Sequence, residues 1–203
     1  MKNKFLFIDV ETANSSNSSI CQIAAINDEI VLNELVDPCA KFDHFNKNFH
    51  GIDEKAVFGK PNFKEAFLDK IKLNDYILIG HNINFDVNVI AKDAFRYGVN
   101  IEKFNTICTM KLYKSVFPNL EKHKLDFLCN HFNIELNKHH DAYNDALACK
   151  KLFENLINGN HLREPIDSYI KEIYPIRKTY PNSISREIKY NIFFNIYNLR
   201  VAI

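Results

Sequence analysis

The chain has 203 residues, of which 46% are hydrophobic, 25% charged and 13% aromatic. At roughly 150 residues per domain that is one domain, or one with an appendage, long enough to bury about 70% of its unfolded surface. Five Gly and six Pro exclude collagen-like and low-complexity classes, and no apolar run reaches the about 18 residues of a membrane-spanning helix.

The opening apolar run is broken by Asp9 and Glu11 before it reads as a leader, so a cytoplasmic location is expected. Five cysteines, odd in number and without a CxxC pair, point to reduced and mostly buried thiols. The net charge is +1, from 26 Lys and Arg against 25 Asp and Glu. It is unevenly spread: residues 160–203 hold seven basic and four acidic side chains, a net +3, which leaves residues 1–159 at −2. A near-neutral body can still handle an anionic polymer where metal ions supply the positive charge.

In chain order, residues 4–10 form an aromatic-rich apolar run suited to a buried strand. A polar turn over 14–19 leads to a second strand at 20–26 and a third at 29–36, stopped by Asp37-Pro38. This predicts a three-strand meander. Residues 77–80 make another short strand, and Phe85, Val89, Ala94 and Tyr97 then share one helical face, with Gly98 as the stop. Helices are predicted at about 106–117, 123–132 and 141–158, with Gly159 beyond the last. The class is α/β, with a mixed central sheet flanked by helices. Prolines 165, 175 and 181 break the remainder into short pieces, and 185–203 suits either a terminal helix or a strand.

Asp9 and Glu11 are two apart at the end of the first strand, where residues i and i+2 share a face. Paired acids beside a buried strand are costly without a counter-charge. Asp86 opens a helix just after the strand ending at Gly80, at the carboxyl edge where open α/β sheets bind ligands. Asp145 stands in the first turn of the last long helix, with His140 on the loop before it. A His139–His140 metal pair is the competing idea, and it is disfavoured because adjacent residues diverge. Four carboxylates suit Mg²⁺ or Mn²⁺ better than zinc, and two such ions about 4 Å apart would clamp a phosphodiester. His140 would then take the proton of the attacking water.

Phe7-Ile-Asp-Val-Glu-Thr12, His81-Asn-Ile-Asn-Phe-Asp86 and His140-Asp-Ala-Tyr-Asn-Asp145 resemble the three motifs of the DEDDh exonuclease family. That family includes the proofreading epsilon subunit of bacterial DNA polymerase III, ribonuclease T and oligoribonuclease. The sister class carries Tyr four residues before the last Asp; here that position is Asp141. Leu35-Val-Asp-Pro38, His50-Gly-Ile52 with Pro61, Cys108-Thr-Met110 and Lys124-Leu-Asp-Phe-Leu128 extend the resemblance over about residues 4–158.

The resemblance implies an RNase H-like fold, two bound divalent cations and removal of nucleotides from 3′ ends. It makes Asp9, Glu11, Asp86 and Asp145 metal ligands and His140 the general base. It places Thr12, His50, Ile52, His81, Asn82 and Phe85 around the terminal nucleotide, Phe85 as a stacking face.

The expectation is therefore an exonuclease domain over 1–159 and an extension over 160–203 of unassigned role. The expected substrate is the 3′ end of DNA, single-stranded or frayed, with RNA as the rival. A module that binds nucleic acid or a polymerase without cutting is the rival from another class. The basic, tyrosine-bearing extension could grip a nucleic-acid strand, pack on the domain, or contact a polymerase or a second copy of the chain. No membrane contact is expected.

Overall fold

The structure is a computed structural model that describes residues 4–16 and 18–175. The helix or strand expected at 185–203, and the tyrosines at 180, 190 and 197, lie outside the described residues. Six strands form one sheet in the order β3-β2-β1-β4-β5-β6: β1 Phe5–Thr12, β2 Ile20–Ile26, β3 Val31–Leu35, β4 Ile77–Gly80, β5 Phe104–Cys108 and β6 Lys171–Ile173. β1, β2 and β3 are the expected antiparallel meander, while β1, β4 and β5 run parallel. Among the described residues five α-helices accompany them: α1 His44–His50, α2 Asn84–Arg96, α3 Thr109–Val116, α4 Leu125–His131 and α5 Ala142–Asn158. This is the mixed sheet flanked by helices that the motif resemblance implies.

The alternation along β1 builds both layers. Leu6, Ile8 and Val10 join a core with Val87, Ile90 and Ala94 of α2 on one side of the sheet. Phe7 faces the other way, into a core with Leu112, Leu128, Leu152 and Phe153 of α3, α4 and α5. Asp9 and Glu11, in step with Phe7, therefore share the side of the sheet on which α5 lies. Gly80 ends β4 where a Cβ would stand 2.7 Å from Ile83 Cδ1 and 3.2 Å from the Ile8 carbonyl oxygen. Only a residue without a side chain lets the strand turn into α2 that close to β1.

One expectation is corrected, and two further features were not read from the sequence. The helix expected from about residue 106 begins at Thr109, because Phe104–Cys108 is a strand pairing with β4 through Leu78↔Thr106 and Gly80↔Cys108. α1, missed in the sequence, is a single short piece set by its ends. Asp43 accepts from the Asn46 N–H at 2.8 Å, and Gly51 closes it at φ 79°. Beyond Gly159 the described residues continue to pack on the domain. β6 pairs antiparallel with β5 through Phe104↔Ile173, and Leu162, Ile166, Tyr169 and Ile170 lie against the core. All five cysteines are free, four of them buried. Among the described residues, no helix is long and apolar enough to cross a membrane.

Candidate active site

β4 pairs with β1 only as far as Phe7↔Ile79, so the last residues of β1 have an open edge. The Val10 N–H on that stretch donates to Asp86 Oδ1 at 3.2 Å. The first turn of α2 thus brings a buried carboxylate against the tip of the central strand. On the same tip Asp9, Glu11 and Asp145 each offer an oxygen, all within 4.8 Å of one another.

Asp145 reaches them because α5 is tied down at its start. Asp141 caps it by accepting from the Asn144 N–H at 3.2 Å. Gln22 of β2 accepts from the Ala142 N–H at 3.2 Å and donates to Asp141 Oδ2 at 3.3 Å. Two helix N-termini and one strand end therefore converge, as the spacing of the acids implied.

The electrostatics are those of an anionic site with too little counter-charge of its own. Burial, then the charges of Asp86, Asp145 and Glu11, push Asp9 well above the usual carboxylate range. Burial first and Asp145 second push Glu11 up to about 8. Burial likewise raises Asp86 to about 8, against the pull of the Val10 N–H. An all-oxygen donor set whose members repel one another fits a small hard divalent cation, which would restore each to its charged form. The residues present fit such an ion.

His140 stands beside this cluster, and its neighbour is closer still. The Nδ1–H of His139 donates to the Asp145 carboxylate, 3.1 Å from each oxygen. The His140 backbone N–H donates to Asp145 Oδ2 at 3.2 Å. The expectation that adjacent histidines diverge is corrected. His140 has φ 66°, a left-handed kink that folds the two rings together at a centroid distance of 3.8 Å. His139, His140 and Asp145 each offer a ligand atom within 4.8 Å of the others. The other ring on His140 is Phe49 of α1, at 3.7 Å. His139 entered the sequence reading only as half of the disfavoured metal pair, and Phe49 was not picked out.

The residues expected around a terminal nucleotide divide into two groups. Phe85, 49% exposed, and Asn82 are open to solvent at the start of α2. Thr12, His50 and Ile52 are buried. The Nε2–H of His50 donates to the Thr12 carbonyl at 3.1 Å while its Nδ1 accepts from the Ile52 N–H at 3.0 Å. Asn46 donates to the Thr12 carbonyl and hydroxyl at 2.6 and 2.9 Å.

Ile52 packs with Ala13, Cys21 and Val57. His81 is committed internally as well: Nε2–H donates to the His123 carbonyl at 2.9 Å, and Nδ1 pairs with the Thr109 hydroxyl at 3.0 Å. Burial lowers its pKa to about 4, which keeps it neutral. Thr12, His50 and Ile52 thus join α1 to β1, and His81 ties the segment after β4 to Thr109 of α3 and to His123 before α4.

The exonuclease model of the RNase T family matches residues 6–153. The chain is 32% identical over 168 residues to the PolC-type DNA polymerase III of Caldanaerobacter subterraneus subsp. tengcongensis, covering 77% of this chain and 12% of that protein. It therefore spans about an eighth of the PolC-type relatives it matches. It is 27% identical over 173 residues to the DNA polymerase III epsilon subunit of Aquifex aeolicus, covering 81% of this chain and 86% of that one.

Two solved structures share the fold. The nuclease domain of 3′hExo, described as a DEDDh family member bound to rAMP, superposes with a TM-score of 0.62 at 16% identity, over 78% of this chain and 94% of that one. Exonuclease X in complex with 5′-overhanging duplex DNA gives 0.58 at 22%, over 76% and 93%.

Proposed function

The chain belongs to the RNase T family of exonucleases, hydrolases that work in the 3′–5′ direction, and from that premise we propose that it shortens the 3′ end of DNA. The substrate is a single-stranded or frayed end, and the products are nucleoside 5′-monophosphates. The observation that carries this reading is the meeting of Asp9, Glu11 and Asp145 within 4.8 Å at the tip of β1, with Asp86 hydrogen-bonded to Val10 beside them.

In this reading the four carboxylates hold two divalent cations, Mg²⁺ or Mn²⁺. Such ions supply a water of lowered pKa and stabilise the departing 3′ oxygen. His140 receives the proton of the attacking water, a role suited to an imidazole whose pKa is held below its ordinary value by burial and by the neighbouring His139. Phe85 and Asn82 hold the terminal nucleotide, Phe85 by stacking.

DNA is preferred to RNA because the relatives by sequence are DNA polymerase III proteins; the rAMP-bound neighbour speaks for the fold alone. The same likeness supports a proofreading or repair role in the cytoplasm, alongside a polymerase. Self-association through residues 160–203 is not proposed.

The test uses 5′-labelled single-stranded DNA and RNA with Mg²⁺ or Mn²⁺. Stepwise shortening of DNA from its 3′ end is expected, abolished by Asp9→Ala and slowed about 10²- to 10⁴-fold by His140→Ala, the usual worth of a general base. Faster shortening of RNA would replace DNA as the substrate. Binding of either strand without shortening would overturn the hydrolytic reading.

A further inference from the structure

Four rings form a continuous ladder from the surface of α1 to the acidic cluster. Phe45 and Phe49, one turn apart on α1, stack at 5.7 Å with their planes 19° apart. Phe49 stacks on His140 at 3.7 Å and 31°, and His140 on His139 at 3.8 Å and 27°. Two rings this close and this parallel to one imidazole occupy its opposite faces, so His140 is clamped between Phe49 and His139. The far end of the ladder is held by the His139–Asp145 hydrogen bond at 3.1 Å.

A general base is ordinarily aimed by a third group that hydrogen-bonds its second nitrogen. Here the only hydrogen bond at His140 among the described residues is its backbone N–H to Asp145. Its φ of 66° is a conformation that a residue other than Gly keeps only where its surroundings impose it. The orientation of the ring therefore depends on the faces stacked against it.

We propose that Phe49 is a positioning residue for His140, holding the imidazole by ring stacking in the orientation from which it serves the reaction. Phe45 backs Phe49, and α1 with its Asp43 cap is the mount. The inference rests on the reading of His140 as the general base.

A double-mutant cycle on the full chain tests it, with 5′-labelled single-stranded DNA and Mg²⁺. Phe49→Ala is expected to lower kcat roughly 10- to 10²-fold, the cost of a slightly misplaced catalytic group, with KM unchanged. Phe49→Leu, which keeps the bulk but not the ring, is expected to behave alike, and Phe49→Tyr to recover the rate. In a His140→Ala background Phe49→Ala should add no further loss, whereas a general packing role would add its full cost in both backgrounds.

The ring-current shift of the His140 Cε1 proton is read by NMR without any turnover. It should lie upfield in the parent and move downfield in Phe49→Leu. A rise in KM with kcat intact would make Phe49 a nucleobase contact and overturn the proposal, as would a His140 resonance that ignores Phe49. If the parent cleaves nothing, the reading of His140 as a base fails, while the NMR shift still reports on the clamp.

Discussion

The Nδ1 of His139 sits 3.1 Å from both oxygens of Asp145, so an imidazole occupies the face of a carboxylate that the proposed mechanism gives to a metal ion. The hydrogen bond to Asp145 is the main cause raising the His139 pKa, against burial, with the charge of Asp145 adding to it. A raised histidine stabilises the fold fully below its unfolded pKa of about 6.5 and loses that contribution as pH rises through the folded value. In the presence of a chelator, His139→Ala should therefore melt about 1–3 °C lower than the parent near pH 5 and equally near pH 9, the pair being partly exposed. Saturating Mg²⁺ should erase the difference, because the cation takes over Asp145. Scanning calorimetry with and without the cation reads both effects.

The acid cluster moves stability in the same direction with pH, but through the cost of ionising buried, mutually repelling carboxylates rather than through loss of a stabilising pair. Glu11 and Asp86 are both pushed up to about 8 by burial, so the folded state binds protons that the unfolded chain has released above about pH 4. Metal-free stability should fall as pH rises from about 4 to about 8. Mg²⁺ or Mn²⁺, which binds the ionised folded state, should flatten the decline. Asp9→Asn should abolish turnover yet raise the metal-free Tm near pH 8 by a few degrees, since it removes a member of a self-repelling set. A metal-free Tm that climbs over this window would contradict the arrangement of charges.

A second buried carboxylate is a strut. Asp93 of α2 accepts from the Ile20 N–H at 2.7 Å and from Arg96 at 2.8 Å, and Arg96 donates to the Ser19 hydroxyl at 2.7 Å. This joins α2 to the start of β2. Burial raises the Asp93 pKa to about 6 even against the Arg96 charge. Asp93→Ala leaves a guanidinium and an N–H without their partner, and breaking such a buried pair costs about 3–5 kcal/mol. The expected result is a large drop in the denaturation midpoint, with the metal requirement of the remaining folded protein unchanged.

The legible parts of the molecule were those written in short-range pattern. The apolar runs fix β2 and β4 at the bounds read from the residues, and the i, i+2 spacing puts Asp9 and Glu11 on one side of β1. Asp141 and Gly159 bracket α5 as turn chemistry predicts. β5 was absorbed into the following helix because Thr106 to Cys108 run directly into α3 without a breaker.

The other gaps are contacts between distant segments. Phe49 meets His140, 91 residues on in sequence, by a contact between α1 and the loop before α5, and the His139 and His140 rings come together where His140 is left-handed. Thr12 and Ile52 lie in motifs that read as nucleotide contacts, and sequence does not tell whether a side chain near a site turns toward it or beneath it.

His50 illustrates that difference. It is buried, and it joins the Thr12 carbonyl to the Ile52 N–H across the base of α1. His50→Ala takes the acceptor from the buried Ile52 N–H, at about 1–3 kcal/mol, while the Thr12 carbonyl keeps its bond from Asn46. The protein should lose several degrees in Tm, with KM for oligonucleotides little changed in the fraction that folds. A KM rise without loss of stability would return His50 to the substrate side.

Phe85 gives the opposite expectation. Its ring is 49% exposed at the start of α2, next in sequence to Asp86, which is buried against Val10. Neighbouring residues on a helix diverge in direction, so the same turn sends one side chain into the acidic cluster and the other toward solvent. Truncating a half-exposed ring leaves little cavity, and Phe85→Ala should melt within about 1 °C of the parent, as surface changes do. Stacking on a base is worth about 1–3 kcal/mol, so KM for single-stranded DNA should rise by about 5- to 150-fold at that value. Phe85→Trp should retain or lower it. Steady-state kinetics on oligonucleotides of one length, paired with calorimetry on the same preparations, separates the two outcomes: unchanged KM in Phe85→Ala would remove Phe85 from the nucleotide pocket.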